Sequence, residues 1–172
     1  VANLILGWII PGAEFLSSEE DGTDSAQLRF IRDPSATRVS TRATHVGFGL
    51  SYVLPIIVGG LALEENGLLL VENPEAHLHP FGQSRIGAFL ASLAASGRQI
   101  FVETHSDHVI NGIRLAIKYG VTPNDSALFN YFHSLNGTSR SSITQIAADD
   151  TGALEDWPEG FFYQIERDLS RL

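Results

Sequence analysis

The sequence predicts an α/β protein, with a parallel sheet core, flanking helices and a short antiparallel extension at the C-terminal end. Three observations predict it. Two short continuous apolar runs, GLLLVE (67–72) and QIFVE (99–103), have the length and composition of strands buried on both faces, as in a parallel sheet. Each run is followed by a helical pattern, so strand, helix, strand and helix succeed one another within about 50 residues, which implies a right-handed parallel crossover. Further on, LFNYF (128–132) and SITQIA (142–147) read as antiparallel strands.

Taken in order, residues 2–10 are apolar and read as the end of a helix or strand, stopped by Pro11 and Gly12. SSEEDGTDS (17–25) reads as a solvated loop, AQLRFIR (26–32) as an alternating strand, and residues 33–44, with Pro34, serines and threonines, as a loop. From residue 47 to 63 the pattern turns helical, opened by a Gly-x-Gly-x-Ser stretch and interrupted by Pro55. Pro80 suits a first helical position, and an amphipathic helix to about Ser96 follows it. Its residues Ile86, Phe89, Leu90 and Leu93 fall three or four apart on one face, and Gly97 ends it. Ser106 caps a helix running to about Tyr119, with Gly120 as its stop. DDTG (149–152) reads as a turn, and residues 157–172 as a Pro-Gly turn and a short helix, with Trp157, Phe161 and Phe162 covering an edge of the core or, as the alternative, offering an aromatic docking surface to a partner.

At 172 residues the chain is long enough for one domain with a real core, able to bury about 68–70% of its unfolded surface. It is 44% apolar and 18% charged, ordinary for a globular protein. No unbroken apolar stretch reaches membrane-spanning length, so no membrane partner is expected, and the apolar start lacks the basic flank and cleavage site of a signal peptide. There is no cysteine, which removes disulfides and thiolate zinc sites and fits a cytoplasmic protein. A net charge of −9 opposes nonspecific binding to nucleic acid. Because the chain opens on Val1 and holds no methionine, it is expected to be a piece of a longer protein.

The chemistry gathers where the two apolar runs end. In open parallel sheets ligands bind beyond the carboxyl ends of the strands, and there lie Glu72-Asn73-Pro74-Glu75 and Glu103-Thr104-His105-Ser106. A carboxylate such as Glu72 can hold a hydrated Mg²⁺, which takes only one or two protein oxygens, and a neutral His105 can hydrogen-bond a terminal phosphate. An acidic residue after an apolar strand can equally be where the chain meets water.

The surrounding constellation carries a resemblance. LLLVENPEAHLHP (68–80) resembles the Walker B segment and following D-loop of ABC-type ATPases, in the branch of the AAA superfamily that holds SMC-like, RecF-like and OLD-family P-loop proteins. FVETHSDHVI (101–110) resembles that branch's switch-histidine segment. THVGFGLSYVLPIIVGGLAL (44–63) resembles its signature segment, the helix start that meets the γ-phosphate of ATP held by a second protomer. WPEGFF (157–162) resembles the C-terminal extension of one bacterial subgroup. The likeness runs from residue 44 to 162 in the same order, roughly two-thirds of the chain. It implies three segments: 1–43 as the end of an N-terminal part, 44–123 as the ATPase core, and 124–172 as a β-rich extension with a terminal helix.

By this resemblance Glu72 takes the place of the Mg²⁺-holding acid and His105 that of the switch histidine. Gly47, Gly49 and Ser51 take the signature positions, where glycines admit a phosphate to backbone N–H groups at a helix start. Asn73 stands where many relatives have the glutamate that activates water, and an amide cannot abstract a proton. Hydrolysis is then slow, or Glu75 or Glu103 serves as base, or the water is only positioned. A second departure is larger. No G-x-x-x-x-G-K-[ST] occurs in the chain, so the loop that cradles the phosphates is expected upstream, with a complete P-loop-free protein as the alternative.

The resemblance therefore implies ATP and Mg²⁺ as cofactors and a second head as partner in a homodimer. It also implies DNA repair or anti-phage defence, with DNA reached only through the complete assembly and a nuclease partner or domain alongside. Two other classes compete. A degenerate ATPase fold kept for dimerisation or partner binding fits Asn73 and the missing loop, though it needs neither Glu72 nor His105. A metal-dependent hydrolase would use His77, His79, His105, Asp107 and His108, since zinc favours such donors, but His-x-His here abuts Pro80 and falls in a loop. A triad of His105, Ser106 and Asp107 is disfavoured, because adjacent residues cannot readily hydrogen-bond in series.

Overall fold

The computed structural model describes residues 1–32, 39–134, 141–155 and 164–172, so Trp157, Phe161, Phe162 and the Pro-Gly turn lie outside the described residues. At its centre, strands β4 (Leu68–Glu72) and β5 (Gln99–Glu103) pair in parallel, from Leu68 against Gln99 to Glu72 against Glu103. The crossover between them is helix α3 (Pro80–Ala95), and α4 (Asp107–Lys118) follows β5. Both helices start as their caps dictate. The His79 side chain accepts the Phe81 N–H above Pro80, and the Ser106 hydroxyl accepts the Val109 N–H. Gly97 and Gly120 take the left-handed conformation just past the two helix ends.

Two further helices complete the layer over the sheet. Helix α1 (Ala2–Ile9) packs on both α2 (Phe48–Ala62) and α3, and α2 also packs on β4. Leu6, Val53, Ile57, Ile86, Leu90 and Val109 close the core between them. Arg85 on α3 ties α1 down, lying over the rings of Trp8 and Phe81 and donating to the Trp8 carbonyl. Helices α3 and α4 cross in backbone contact, since a Cβ on Gly112 would strike the Ser84 carbonyl and one on Gly87 the Val109 carbonyl.

Two antiparallel sheets flank this core. β1 (Ala13–Glu19), β2 (Ala26–Arg32) and β3 (Ser40–Arg42) lie in that order, with Phe30 buried. β6 (Leu128–Ser134) and β7 (Ser141–Ala147) form the second, and α5 (Gln164–Leu169) lies near the C-terminus. The Asp149 turn follows β7. Its carboxylate is held below the ordinary value chiefly by the Thr151 hydroxyl, and the Ala153 N–H adds to this.

Four sequence expectations need correction. Within the stretch 33–44 read as loop, Ser40–Arg42 form β3, drawn into a strand by pairing with β2. Ser17, Ser18 and Glu19 are not loop but the outer half of β1, where exposed polar side chains hide a strand whose order comes from pairing with β2. Pro55 does not interrupt α2. It sits exposed inside the helix, which continues at the loss of one hydrogen bond to the Ser51 carbonyl. Nor are β4 and β5 buried on both faces. Leu69, Val71, Ile100 and Val102 face the helices, while Leu68, Leu70 and Phe101 stand 51%, 69% and 55% exposed on the other side.

Candidate functional site

Both parallel strands end on an acid. The register sets Glu72 beside Glu103 on the open face, and both are exposed. Neighbouring strands lie about 4.8 Å apart, so two carboxylates share one small region of solvent. Magnesium takes oxygen donors, keeps several waters and is held by one or two carboxylates together with substrate phosphates; this pair suits that demand. Among the described residues no group of three or more His, Asp and Glu side chains gathers to hold a metal. The His77, His79, His105, Asp107 and His108 set is thus not assembled; only Asp107 and His108 meet, 3.7 Å apart.

The loop over residues 73–79 is stitched to the segment after β5. The Asn73 N–H donates to the Glu103 carbonyl (2.9 Å), with Asn73 held at φ 47°, a left-handed conformation that asparagine tolerates better than most residues. Glu75 receives the Thr104 hydroxyl on one carboxylate oxygen (2.6 Å) and the His105 N–H on the other (3.0 Å). Burial raises this carboxyl, but the Thr104 hydroxyl, the His105 N–H, its own N–H and the Asn73 side chain together outweigh burial and hold it below its ordinary value. The His105 imidazole itself stands exposed to solvent.

One turn into α3, Gln83 closes the same junction. Its amide donates to the Leu78 carbonyl (2.8 Å) and its oxygen accepts the hydroxyl of buried Ser106 (2.6 Å). Sequence reading missed Gln83 and Thr104. For Gln83 the local signal was an amide in the first turn of α3, but its partner Ser106 lies 23 residues on, so no spacing announced the contact.

The start of α2 lies against the other side of the same loop. A Cβ on Gly49 would come within 2.7 Å of the His77 carbonyl, so a larger residue would push the helix off the loop. Phe48, 75% exposed, packs its ring against His77 (5.4 Å between centroids). The Tyr52 hydroxyl, one turn on, donates to the Glu72 carbonyl at the end of β4 (2.7 Å). Gly47 is the N-cap of α2, and the Ser51 hydroxyl donates to the Ala43 carbonyl (3.3 Å). A cleft of about 410 Å³ opens here, lined by Ile10, Gly47, Gly49, His77 and His79 among others. None of Glu72, Glu103 and His105 lines it. The chain thus carries two separate groups of site residues, one at the strand ends and one at the start of α2.

A parallel strand pair with acids at its carboxyl ends, a helical crossover and flanking antiparallel sheets together match the fold of SMC ATPase heads. Solved structures match it with that fold. One, from work on ATP-driven dimerization and DNA-stimulated activation of SMC ATPases, superposes with a TM-score of 0.61 at 12% identity, covering 98% of this chain and 88% of its own. An Smc head bound to the C-terminal winged-helix domain of ScpA gives 0.62 at 13%, covering 85% and 41%. An Smc head with an extended coiled coil, bound to the C-terminal domain of ScpA derived from Pyrococcus furiosus, gives 0.60 at 12%, covering 85% and 33%. The chain therefore spans less than half the length of these last two. The family model described as AAA ATPase domain matches residues 13–110, more than half of the chain, and the chain belongs to that family. A second model, described as a protein of unknown function (DUF3696), matches residues 121–172. No curated protein matches. Lys118, in the last turn of α4, is the only lysine in the sequence, so no phosphate-loop lysine is present among these residues.

Proposed function

We propose that this chain supplies the Walker B, D-loop, switch-histidine and signature portions of an ATP-hydrolysing SMC-like head, and that the phosphate-cradling loop comes from outside these 172 residues. The observation that carries the reading is the pair Glu72 and Glu103, side by side and exposed at the strand ends, next to a His105 whose backbone is fixed by Glu75. Glu72 would hold Mg²⁺, and a bound Mg²⁺ would neutralise terminal phosphate charge that this acidic chain otherwise repels. Both oxygens of Glu75 already accept hydrogen bonds, which makes it a strut rather than a base. Among the described residues Glu103 has no such commitment and is the carboxylate left to take a proton from water, while the Asn73 side chain is given to Glu75.

The second group supports a dimer of heads. Gly47, Gly49 and Ser51 line or border a cleft apart from the strand-end acids, as expected if each head offers its α2 start to nucleotide held by the other. The open face of β4 and β5 supports the rest, because Leu68, Leu70 and Phe101 need cover that the described residues do not supply. We assign residues 44–123 to the ATPase core, 1–43 to the segment leading into it and 124–172 to an extension. The role of the complete protein is proposed as DNA repair or anti-phage defence, with a nuclease partner or domain; the DNA-stimulated activation of SMC ATPases gives that idea its support. Asn73 favours a second reading, a degenerate head kept for dimerisation.

The test uses the complete protein. Glu72→Gln and His105→Ala should each abolish ATP turnover while circular dichroism and melting stay unchanged; normal turnover in both would sink the assignment. ATP-dependent dimerisation without any turnover in the wild type would favour the degenerate head.

A further inference from the structure

We propose that Gln83 and Glu75 are positioning residues, a two-point latch that makes the loop over residues 73–79 and the segment around His105 move as one body. The functional half of this inference rests on the ATPase reading above; the latch itself does not. Every residue from 103 to 106 is held from across the junction or by its neighbour there. The Glu103 carbonyl accepts from Asn73, the Thr104 hydroxyl and His105 N–H donate to Glu75, and the Ser106 hydroxyl donates to Gln83. Thr104 also accepts the Ser106 N–H (3.1 Å), which joins the two points into one network.

Gln83 is the member that needs a reason. A capping serine requires only a helix N–H, and Ser106 has that of Val109. Its hydroxyl hydrogen is nevertheless spent on Gln83, while the other end of the same amide holds the Leu78 carbonyl. An amide side chain can donate from its nitrogen and accept at its oxygen at once. It therefore fixes the distance between the end of the loop and the start of α4, and Glu75 fixes the distance at the loop's middle. His105, between these points, keeps its imidazole exposed while its N–H is tied to Glu75. A histidine that must meet a phosphate gains from this, since misplacing a contacting group lowers rate more than affinity.

The experiment is amide hydrogen exchange, with ATPase kinetics on the same samples, on the complete protein carrying Gln83→Met or Gln83→Glu. Gln83→Met keeps the length and removes both bonds, and should speed exchange at His105, Ser106 and Val109 by about five- to tenfold, with the centre of α2 unchanged. Gln83→Glu keeps the acceptor for Ser106 but sets a carboxylate against the Leu78 carbonyl, so it should leave those three amides between the Gln83→Met and wild-type rates. The maximum rate should fall about tenfold in Gln83→Met, while KM for ATP stays within about twofold. Unchanged exchange in Gln83→Met, or a rise spread evenly over the whole chain, overturns the latch. Local loosening with an unaltered rate overturns the positioning role. If the wild-type protein hydrolyses no ATP, the ATPase reading fails, and the exchange result alone decides the latch.

Discussion

Glu75 shows how little a residue's type says about its use. In the sequence it is an acid in an acid-rich stretch, equally suited to take a proton or to hold a strut. Its partners, Thr104 and His105, lie 29 and 30 residues away, so nothing local in the sequence announces them. The structure gives it a stability role with a definite pH dependence. Its folded-state carboxyl titrates below the ordinary value, so its contribution is fully present above that value and is lost as pH falls through the lowered one. Glu75→Ala should therefore cost about 1–3 kcal/mol in urea unfolding at neutral pH, and the gap from wild type should narrow in acid. A gap independent of pH would mean that the ionised carboxylate is not what holds the junction. Glu72 and Glu103 were legible for another reason. A charged residue closing an apolar run stands out in one dimension, and the parallel register then sets the two side by side.

At the scale of elements, the strand–helix–strand–helix core was legible nearly to the residue because every signal agreed. Apolar runs of strand length, Pro80 and Ser106 at helix starts, and glycines beyond the ends are all local chemistry. What escaped was whatever depends on a distant neighbour. The outer half of β1 is polar and gains its order only by pairing with β2, and Pro55 is tolerated because it faces solvent along α2. The crossing of α3 and α4 belongs to the same class. Gly112 sits mid-helix, where a glycine is expected to weaken the element, yet it is the residue that lets the two backbones meet. Gly112→Ala should thus destabilise by about 1–3 kcal/mol, although alanine is the better helix former. Thermal melting measures this; a neutral or stabilising outcome would mean that the crossing relaxes freely.

The whole molecule carries an imbalance that no single element reveals. One face of β4 and β5 is well covered by helices, and the other presents Leu68, Leu70 and Phe101 to solvent. Among the described residues β5 also pairs with β4 alone, leaving its second edge open. Open edges beside apolar side chains invite association. These 172 residues made by themselves should therefore self-associate in sedimentation velocity, and Leu70→Lys with Phe101→Lys should shift them toward monomer without loss of helix. In the complete protein the same pair of changes should be strongly destabilising. If the wild-type piece is already monomeric, the face needs no cover. The sequence reading placed these strands in a fully buried setting because their composition asks for one; composition reports what a strand needs, not which residues meet the need.

A hydrogen bond from the Tyr52 hydroxyl to the Glu72 carbonyl links the two groups of site residues on one chain. If the α2 start serves a neighbour's nucleotide and Glu72 its own, that bond makes the two catalytic events of a dimer statistically dependent. Rate against ATP concentration would then be sigmoidal, and Tyr52→Phe, which removes the oxygen and little else, would move the Hill coefficient toward one.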